Sequence, residues 1–302
     1  MSAPQPAAPQ RLAARDSIIG TDTRIRRALP HRERRMVGAW CFLDHAGPVR
    51  FAAGHGMHVG AHPHIGLQTF TWMIEGEVVH RDSLGIEQVI RPGQVNLMTA
   101  GHGIAHSEDS LHDGAALHAA QLWIALPDAE RERAPGFRNY PELPRVEQGG
   151  FVVSLLAGAA CGQRSPVEIY SPLIGLDLTS TGAARTELAL DAGFEHAALV
   201  LRGAVDVDGE PLGPGTLLYF APGRSSLELS CDAAAQLLLV GGAPFGEPVL
   251  LWWNFVGRTQ ADMEAALRDW NEGGARFGTV RAGSPAAPLQ APSLEGVRLG
   301  KR

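Results

Sequence analysis

The chain of 302 residues has little cysteine, and what it has is scattered. Cys41, Cys161 and Cys231 are odd in number, far apart, and form no Cys-x-x-Cys pair. This excludes a disulfide framework and a zinc knuckle. It leaves three small, buried apolar side chains in a reducing compartment. No apolar run approaches the ~20 residues of a membrane span. The Ala/Pro-rich start, Met1–Gln10, lacks an apolar h-region and is not read as a signal peptide, so the expected location is the cytoplasm. No Gly-x-Ser-x-Gly, Walker sequence or Rossmann fingerprint occurs, so serine hydrolysis and nucleotide binding have no support. The net charge of −6 argues against direct nucleic-acid binding, which needs a basic face.

Lysine is almost missing: Lys301 is the sole one, and arginine supplies the remaining positive charge. That pattern reads as codon bias of a GC-rich bacterial genome rather than as physics. The one basic cluster is Arg24-Ile25-Arg26-Arg27, continuing through Arg32, Arg34 and Arg35. It is expected to be solvated surface, with Asp22 and Glu33 as partners.

What the chain has in quantity is turn residues: 36 Gly and 21 Pro, spread along its length. They punctuate short apolar runs, the pattern of an antiparallel sandwich or barrel. After a segment 1–16 expected to be disordered, strands are predicted over Thr69–Ile74, Glu77–Asp82, Ile86–Arg91, Val95–Thr99 and His118–Leu126. Phe137–Pro144 reads as a connector. A second series covers Gly150–Ala157, Glu168–Leu178, Thr186–Leu190, His196–Arg202, Ala204–Val207, Thr216–Phe220 and Gln236–Gly241. Leu201-Arg202-Gly203-Ala204-Val205 with Gly213-Pro214-Gly215 repeats the rhythm of Ile74-Glu75-Gly76-Glu77-Val78 with Arg91-Pro92-Gly93. The repeat implies two barrels, 17–140 and 141–302, the second carrying a helix over 259–272. Thr259 is its N-cap and Asp262 completes a capping-box variant; Met263, Leu267 and Trp270 form the packing stripe, and Gly273-Gly274 stops it.

The chemistry lies in two short pieces, His62-Pro63-His64 and His106-Ser107-Glu108. Residues i and i+2 of a strand share a face. Each piece therefore aims two ligands at one spot, and neighbouring strands could converge all four on one ion. Burying four titratable groups without a partner is costly, and a bound cation offsets that cost. Three imidazoles and a carboxylate suit Fe(II), Mn, Ni, Cu or Zn. The second barrel repeats the scaffold without either ligand piece. Among the other histidines, His55 and His58 read as surface residues near the site mouth. Alternation puts either His80 or Arg81 inward, and both remain open. His45, His112, His118 and His196 show no ligand spacing.

His62-Pro63-His64-x-Gly66-x-Gln68-Thr69, the Glu75-Gly76 turn and Thr99-Ala100-Gly101-x-Gly103-Ile104-x-His106-Ser107-Glu108 resemble the pirin family of the cupin superfamily. So do Arg35-Met36-Val37-Gly38, Phe42-Leu43-Asp44-His45, Gln121-Leu122-Trp123 and Gly246-Glu247-Pro248-Val249. The resemblance covers nearly the whole chain. It implies an all-β fold of two stacked antiparallel cupin (jelly-roll) barrels with a short C-terminal helix, metal in the N-terminal barrel alone. His62, His64, His106 and Glu108 match the iron ligands position by position. Gln68 stands where many cupins carry a ligand glutamate and is not counted as a ligand. The ion is expected to be one per chain, Fe(II) foremost, with Zn, Mn, Ni, Cu or Co as alternatives.

Two functions follow from the resemblance. Some bacterial pirins resemble quercetin 2,3-dioxygenases, which open a flavonol ring with O2 and release carbon monoxide. Here Glu108 would take the substrate proton, while Met73, Met98 and Trp123 line the barrel wall. Its partners would be a small aromatic substrate and O2. Other pirins act as metal- or redox-sensing co-regulators that bind a transcription factor or a metabolic enzyme.

Overall fold

The computed structural model describes residues 8–300. Among the described residues the chain is all-β, with one α-helix, Gln260–Asn271. It divides into two compact units, neither continuous in sequence. Among the described residues, one comprises 8–16, Arg26–His45 and Glu142–Phe245. The other comprises Ser17–Ile25, Ala46–Pro141 and residues 246–300.

The unit holding Ala46–Pro141 carries a four-stranded sheet in the order His58–His64, Ile104–Ser110, Val78–Asp82, Glu87–Ile90. Opposing it is a sheet in which Gly136–Tyr140, Val95–Thr99, Leu67–Glu75 and Ala116–Ala125 are neighbours in that order. Within this unit, residues 46–50, 23–25 and 17–19 continue it. The short apolar runs predicted over residues 69–99 and 118–126 are thus realised as strands; Leu67–Glu75, Val95–Thr99 and Ala116–Ala125 bury side chains on both faces, among them Phe70, Met73, Val95, Leu97 and Leu122.

The unit holding Glu142–Phe245 repeats this plan. Its four-stranded sheet runs Ala184–Ala189, Ser226–Cys231, Val205–Val207, Glu210–Leu212. Its seven-stranded sheet runs Gln10–Ala13, Thr216–Phe220, Glu195–Arg202, Ala235–Gly242, Leu173–Ser180, Phe151–Ala157, Arg145–Gln148. Strand for strand, Ala184–Ala189 occupies the sheet position of His58–His64, and Ser226–Cys231 that of Ile104–Ser110. The inward faces of this second set carry Ala184, Leu188, Val205, Val207, Leu227 and Leu229, all within one apolar core.

Several expectations change in the folded chain. Residues 1–7 lie outside the described part, but Gln10–Ala13 is a strand rather than disordered, paired along its length with Thr216–Tyr219. Its Leu12 is buried, which repays the ordering. The connector expected at Phe137–Pro144 begins as a strand, Gly136–Tyr140, hydrogen-bonded to Val95–Thr99. The C-terminal helix belongs to the unit of Ala46–Pro141, not to the second barrel. Met263 and Ala266 pack with Ile65, Ala105, Phe255 and Phe277, so its apolar stripe finds its core there. The capping box forms as expected: Asp262 N–H donates to Thr259 Oγ1 and Thr259 N–H to the Asp262 carboxylate.

In the arginine cluster, Arg27 forms a two-pronged pair with buried Asp44 at 2.7 Å instead of facing solvent. Arg34 lies over the Tyr219 ring and near Glu195. Arg32 does pair with Glu33. All three cysteines are free; Cys41 and Cys231 are buried, and Cys161 is partly exposed.

Candidate metal centre

The four-stranded sheet Glu87–Ile90 to His58–His64 sets the site. Strand Ile104–Ser110 lies between His58–His64 and Val78–Asp82. His106 sits opposite His62 on one side and Asp82 on the other, while Glu108 sits opposite His80. Directly opposed residues share a face, and so do residues two apart. One face of three strands therefore carries His62, His64, His106, Glu108, His80 and Asp82. A register shift between His106 and Glu108 against the first strand marks a bulge, the device that re-aims a side chain beside a site.

The ligand atoms of His62, His64 and His106 all lie within 4.8 Å of one another. Glu108 is brought within the same reach of His106, but in a second group with His80 rather than with His62 and His64. The structure thus gathers three of the four expected ligands directly and places the fourth beside the third. Glu108 is partly buried.

The three imidazoles suit a cation. His62 Nδ1 lies 2.8 Å from the Gly60 carbonyl, and His64 Nδ1 lies 3.0 Å from the Asn254 carbonyl. A carbonyl only accepts, so each Nδ1 carries the proton and each Nε2 is a bare lone pair. Burial pushes the His62 pKa down to about 4 and those of His64 and His106 well below the ordinary imidazole range. Neutral imidazole is the form that binds metal. His64 Nε2 and His106 Nε2 stand 3.1 Å apart. Two nitrogens each ~2.1 Å from one ion would lie roughly 3.0–3.4 Å apart at octahedral or tetrahedral angles. At Glu108, burial first and the neighbouring Asp109 second raise the carboxyl pKa to about 7, with a Thr71 hydrogen bond opposing them.

Distant parts of the chain hold these rings in place. The hairpin Leu250–Trp252 and Phe255–Gly257 docks beside Ile65, bridging it to Phe255, and its tip supplies the Asn254 carbonyl. The tail crosses the outer edge of His58–His64, where Leu289 N–H donates to Ala61 O. Gly60 permits that approach, since a Cβ there would meet Ala287 O at 1.9 Å. Neither contribution was visible in the sequence, because both come from segments some 190–230 residues away without ligand-type side chains.

The remaining candidates sort by geometry. His80 points inward, 2% exposed, stacks on Phe137 and touches His106; Arg81 points out to Glu87 and Asp109. His58 pairs with Asp109 at 3.0 Å, and His55 is exposed. Gln68 is buried and its amide nitrogen donates to Thr99 Oγ1. Trp123 packs edge-on against His64, with ring centres 5.2 Å apart. Met98 is buried, but Met73 lies in an apolar cluster with Val59, Val78 and Ile90. A groove of about 710 Å³ lies between the helix and Ser293–Leu299, and no member of the histidine cluster lines it.

Comparison with known proteins agrees with this architecture. The Pirin family model matches residues 22–124, and the model for the Pirin C-terminal cupin domain matches residues 175–278. The Pseudomonas aeruginosa protein named "Putative quercetin 2,3-dioxygenase PA1205" is 54% identical over 273 residues, 90% of this chain and 87% of that one. A "Pirin-like protein" of Caulobacter vibrioides is 41% identical over 258 residues, 82% of this chain and 88% of its own. A crystal structure of quercetin 2,3-dioxygenase from Acinetobacter baumannii superposes with a TM-score of 0.93 at 48% identity, covering 96% of this chain and 97% of that one. Two cupin barrels matched by both pirin models, and a relative sharing more than half its residues along nine-tenths of the chain, place this protein in the pirin family.

Proposed function

We propose that the chain is a metal-dependent dioxygenase of pirin type that opens the ring of a flavonol such as quercetin with O2. The observation that carries the reading is the convergence of the His62, His64 and His106 ligand atoms within 4.8 Å, with two ring nitrogens already at ligand separation. The similarity to proteins named quercetin 2,3-dioxygenase supports the substrate class. His62, His64 and His106 would hold one divalent ion, Fe(II) foremost, with Glu108 alongside. When bound, such an ion supplies Lewis acidity toward a hydroxyl and, as Fe(II), a redox route to O2.

The chain's own residues do the rest. Glu108 accepts the proton of the flavonol hydroxyl at its carboxylate, from a position beside His106. Trp123, against the His64 edge, keeps water from the reacting ring. The reaction balances as flavonol plus O2 giving a ring-opened ester and carbon monoxide. The test is metal analysis of the purified protein, then anaerobic titration with quercetin, then O2. Quercetin consumption with stoichiometric carbon monoxide supports the reading; a fully iron-loaded protein that never consumes quercetin overturns it for that substrate.

A second reading draws on burial: the three imidazoles are only 6%, 1% and 1% exposed. An ion held that deeply could act by stabilising the barrel, as in a metal- or redox-sensing co-regulator that binds a transcription factor or metabolic enzyme. Binding of such a partner that depends on metal loading, with no quercetin turnover, would favour it.

A further inference from the structure

We infer that His80 and Asp82 form a relay that sets the tautomer of His106, and so decides whether the metal centre can accept an ion. The inference rests on the reading of His62, His64 and His106 as ligands. It starts from a difference among the three. His62 and His64 each point Nδ1 at a backbone carbonyl, which can only accept. Their tautomers are therefore settled by the backbone. His106 instead points Nδ1 at the Nδ1 of His80, 3.2 Å away. Either ring could donate, so this contact alone leaves His106 undecided.

The decision is made one residue further out. His80 Nε2 lies 3.1 Å from Asp82 Oδ2, with both side chains buried. The other Asp82 oxygen, Oδ1, accepts from Leu84 N–H and Ile86 N–H at 2.9 and 3.1 Å, so the carboxylate cannot rotate freely. A carboxylate beside Nε2 requires a proton there. His80 Nδ1 is then bare and accepts from His106 Nδ1–H. His106 Nε2 is left as a lone pair facing His64 Nε2. Phe137, stacked at 4.3 Å on the His80 ring, holds the intermediate ring in plane. A buried carboxylate thus acts on a ligand through a second imidazole, the role that carbonyls play for the other two. His80 and Asp82 are positioning residues.

The relay has a consequence that a merely structural contact lacks: it can be reversed. In Asp82→Asn, the amide oxygen stays on the Leu84 and Ile86 N–H groups and the amide nitrogen faces His80 Nε2. His80 must then donate from Nδ1, and His106 must carry its proton on Nε2, where the ion would bind. His80→Leu removes the acceptor altogether. His80→Asn puts an amide oxygen where Nδ1 stood and restores it.

The experiment measures Co(II) affinity by chelator competition, with the visible Co(II) spectrum, for wild type, Asp82→Asn, His80→Leu, His80→Asn and His106→Ala. Long-range nitrogen–proton correlation of histidine-labelled, metal-free protein reads the tautomers directly. Asp82→Asn and His80→Leu are expected to bind Co(II) 10–100-fold more weakly, and His80→Asn to within about threefold of wild type. In metal-free protein, Asp82→Asn should move the proton of His106 from Nδ1 to Nε2. Wild-type affinity in both Asp82→Asn and His80→Leu, with His106→Ala impaired, overturns the relay and leaves the metal site standing. An unchanged His106 tautomer in Asp82→Asn also overturns it, whatever the stability of His80→Leu. If His106→Ala binds Co(II) like wild type, the metal-site reading and the relay fall together.

Discussion

At the scale of single residues, the proposed chemistry separates holding an ion from moving a proton. Glu108→Gln is nearly isosteric and leaves the three imidazoles in place, but an amide cannot accept the substrate proton. It is expected to keep wild-type metal content and to lose about 10²–10⁴-fold in quercetin turnover. His106→Ala should lose metal and turnover together, because it removes the ring shared by both ligand groups. Iron per chain, quercetin absorbance and carbon monoxide release check both. Turnover by metal-loaded Glu108→Gln at the wild-type rate would reduce Glu108 to a ligand. The i, i+2 spacing of His62-His64 and His106-Glu108 was legible from sequence because side-chain alternation is a local property. The choice between His80 and Arg81 was not. Alternation ties His80 to Asp82, but only the pairing of Asp82 with His106 tells which face is the inner one.

At the scale of elements, the helix offers a test independent of the metal. Asp262 accepts from Thr259 N–H and Arg258 N–H, and with the Arg131 charge these bonds hold its carboxyl below the ordinary range even though burial pulls it upward. A depressed carboxylate pKa contributes stability that is present above the unfolded value and is lost as pH falls through the folded one. Thr259→Ala should cost about 1 kcal/mol at neutral pH. The stability gap between wild type and Asp262→Ala should be constant from pH 7 to about 5 and shrink below about pH 4, near the ordinary Asp value. Denaturant midpoints at several pH values measure it. A gap that widens on acidification would contradict the cap. Thr259, Asp262 and the glycine stop were readable in advance because caps act within one turn. The helix's packing partner was not, because an apolar stripe states only that a core exists.

At the scale of the whole molecule, the repeated plan predicts one ion per chain. The strand faces that correspond to His62, His64 and His106 carry Ala184, Thr186, Leu188, Leu227, Leu229 and Cys231, with no imidazole or carboxylate among them. Elemental analysis should give one tightly bound ion per chain, and two would contradict the assignment of the second barrel. Removing the ion with a chelator should lower the melting temperature by roughly 5 °C if the free metal stood near 100 times its Kd, a loss of about 2.7 kcal/mol. Restoring the metal should return the temperature. The second barrel also predicts an acid limit. His196 is buried, and burial lowers its pKa to about 4. A ring that folds neutral gives stability that is full above its unfolded value and declines as pH falls from about 6.5 toward 4. His196→Gln should flatten that decline in a melt series, and an unchanged slope would assign it to other groups.

Ligand spacing, strand rhythm, the two-barrel repeat and the helix caps could all be read along the chain, since each depends on neighbours within a few residues. Three features could not. Gln10–Ala13 became a strand because Thr216–Tyr219 offers it an edge. The segment from Gly246 joined the unit of Ala46–Pro141, where Ile65, Ala105 and Phe255 complete its apolar face. The Asn254 carbonyl and the Asp82–His80 pair came to stand behind His64 and His106. Each of these is a pairing across tens to hundreds of residues. Periodicity specifies which face a side chain shares, but the partner across that face is selected by the packing of the folded chain.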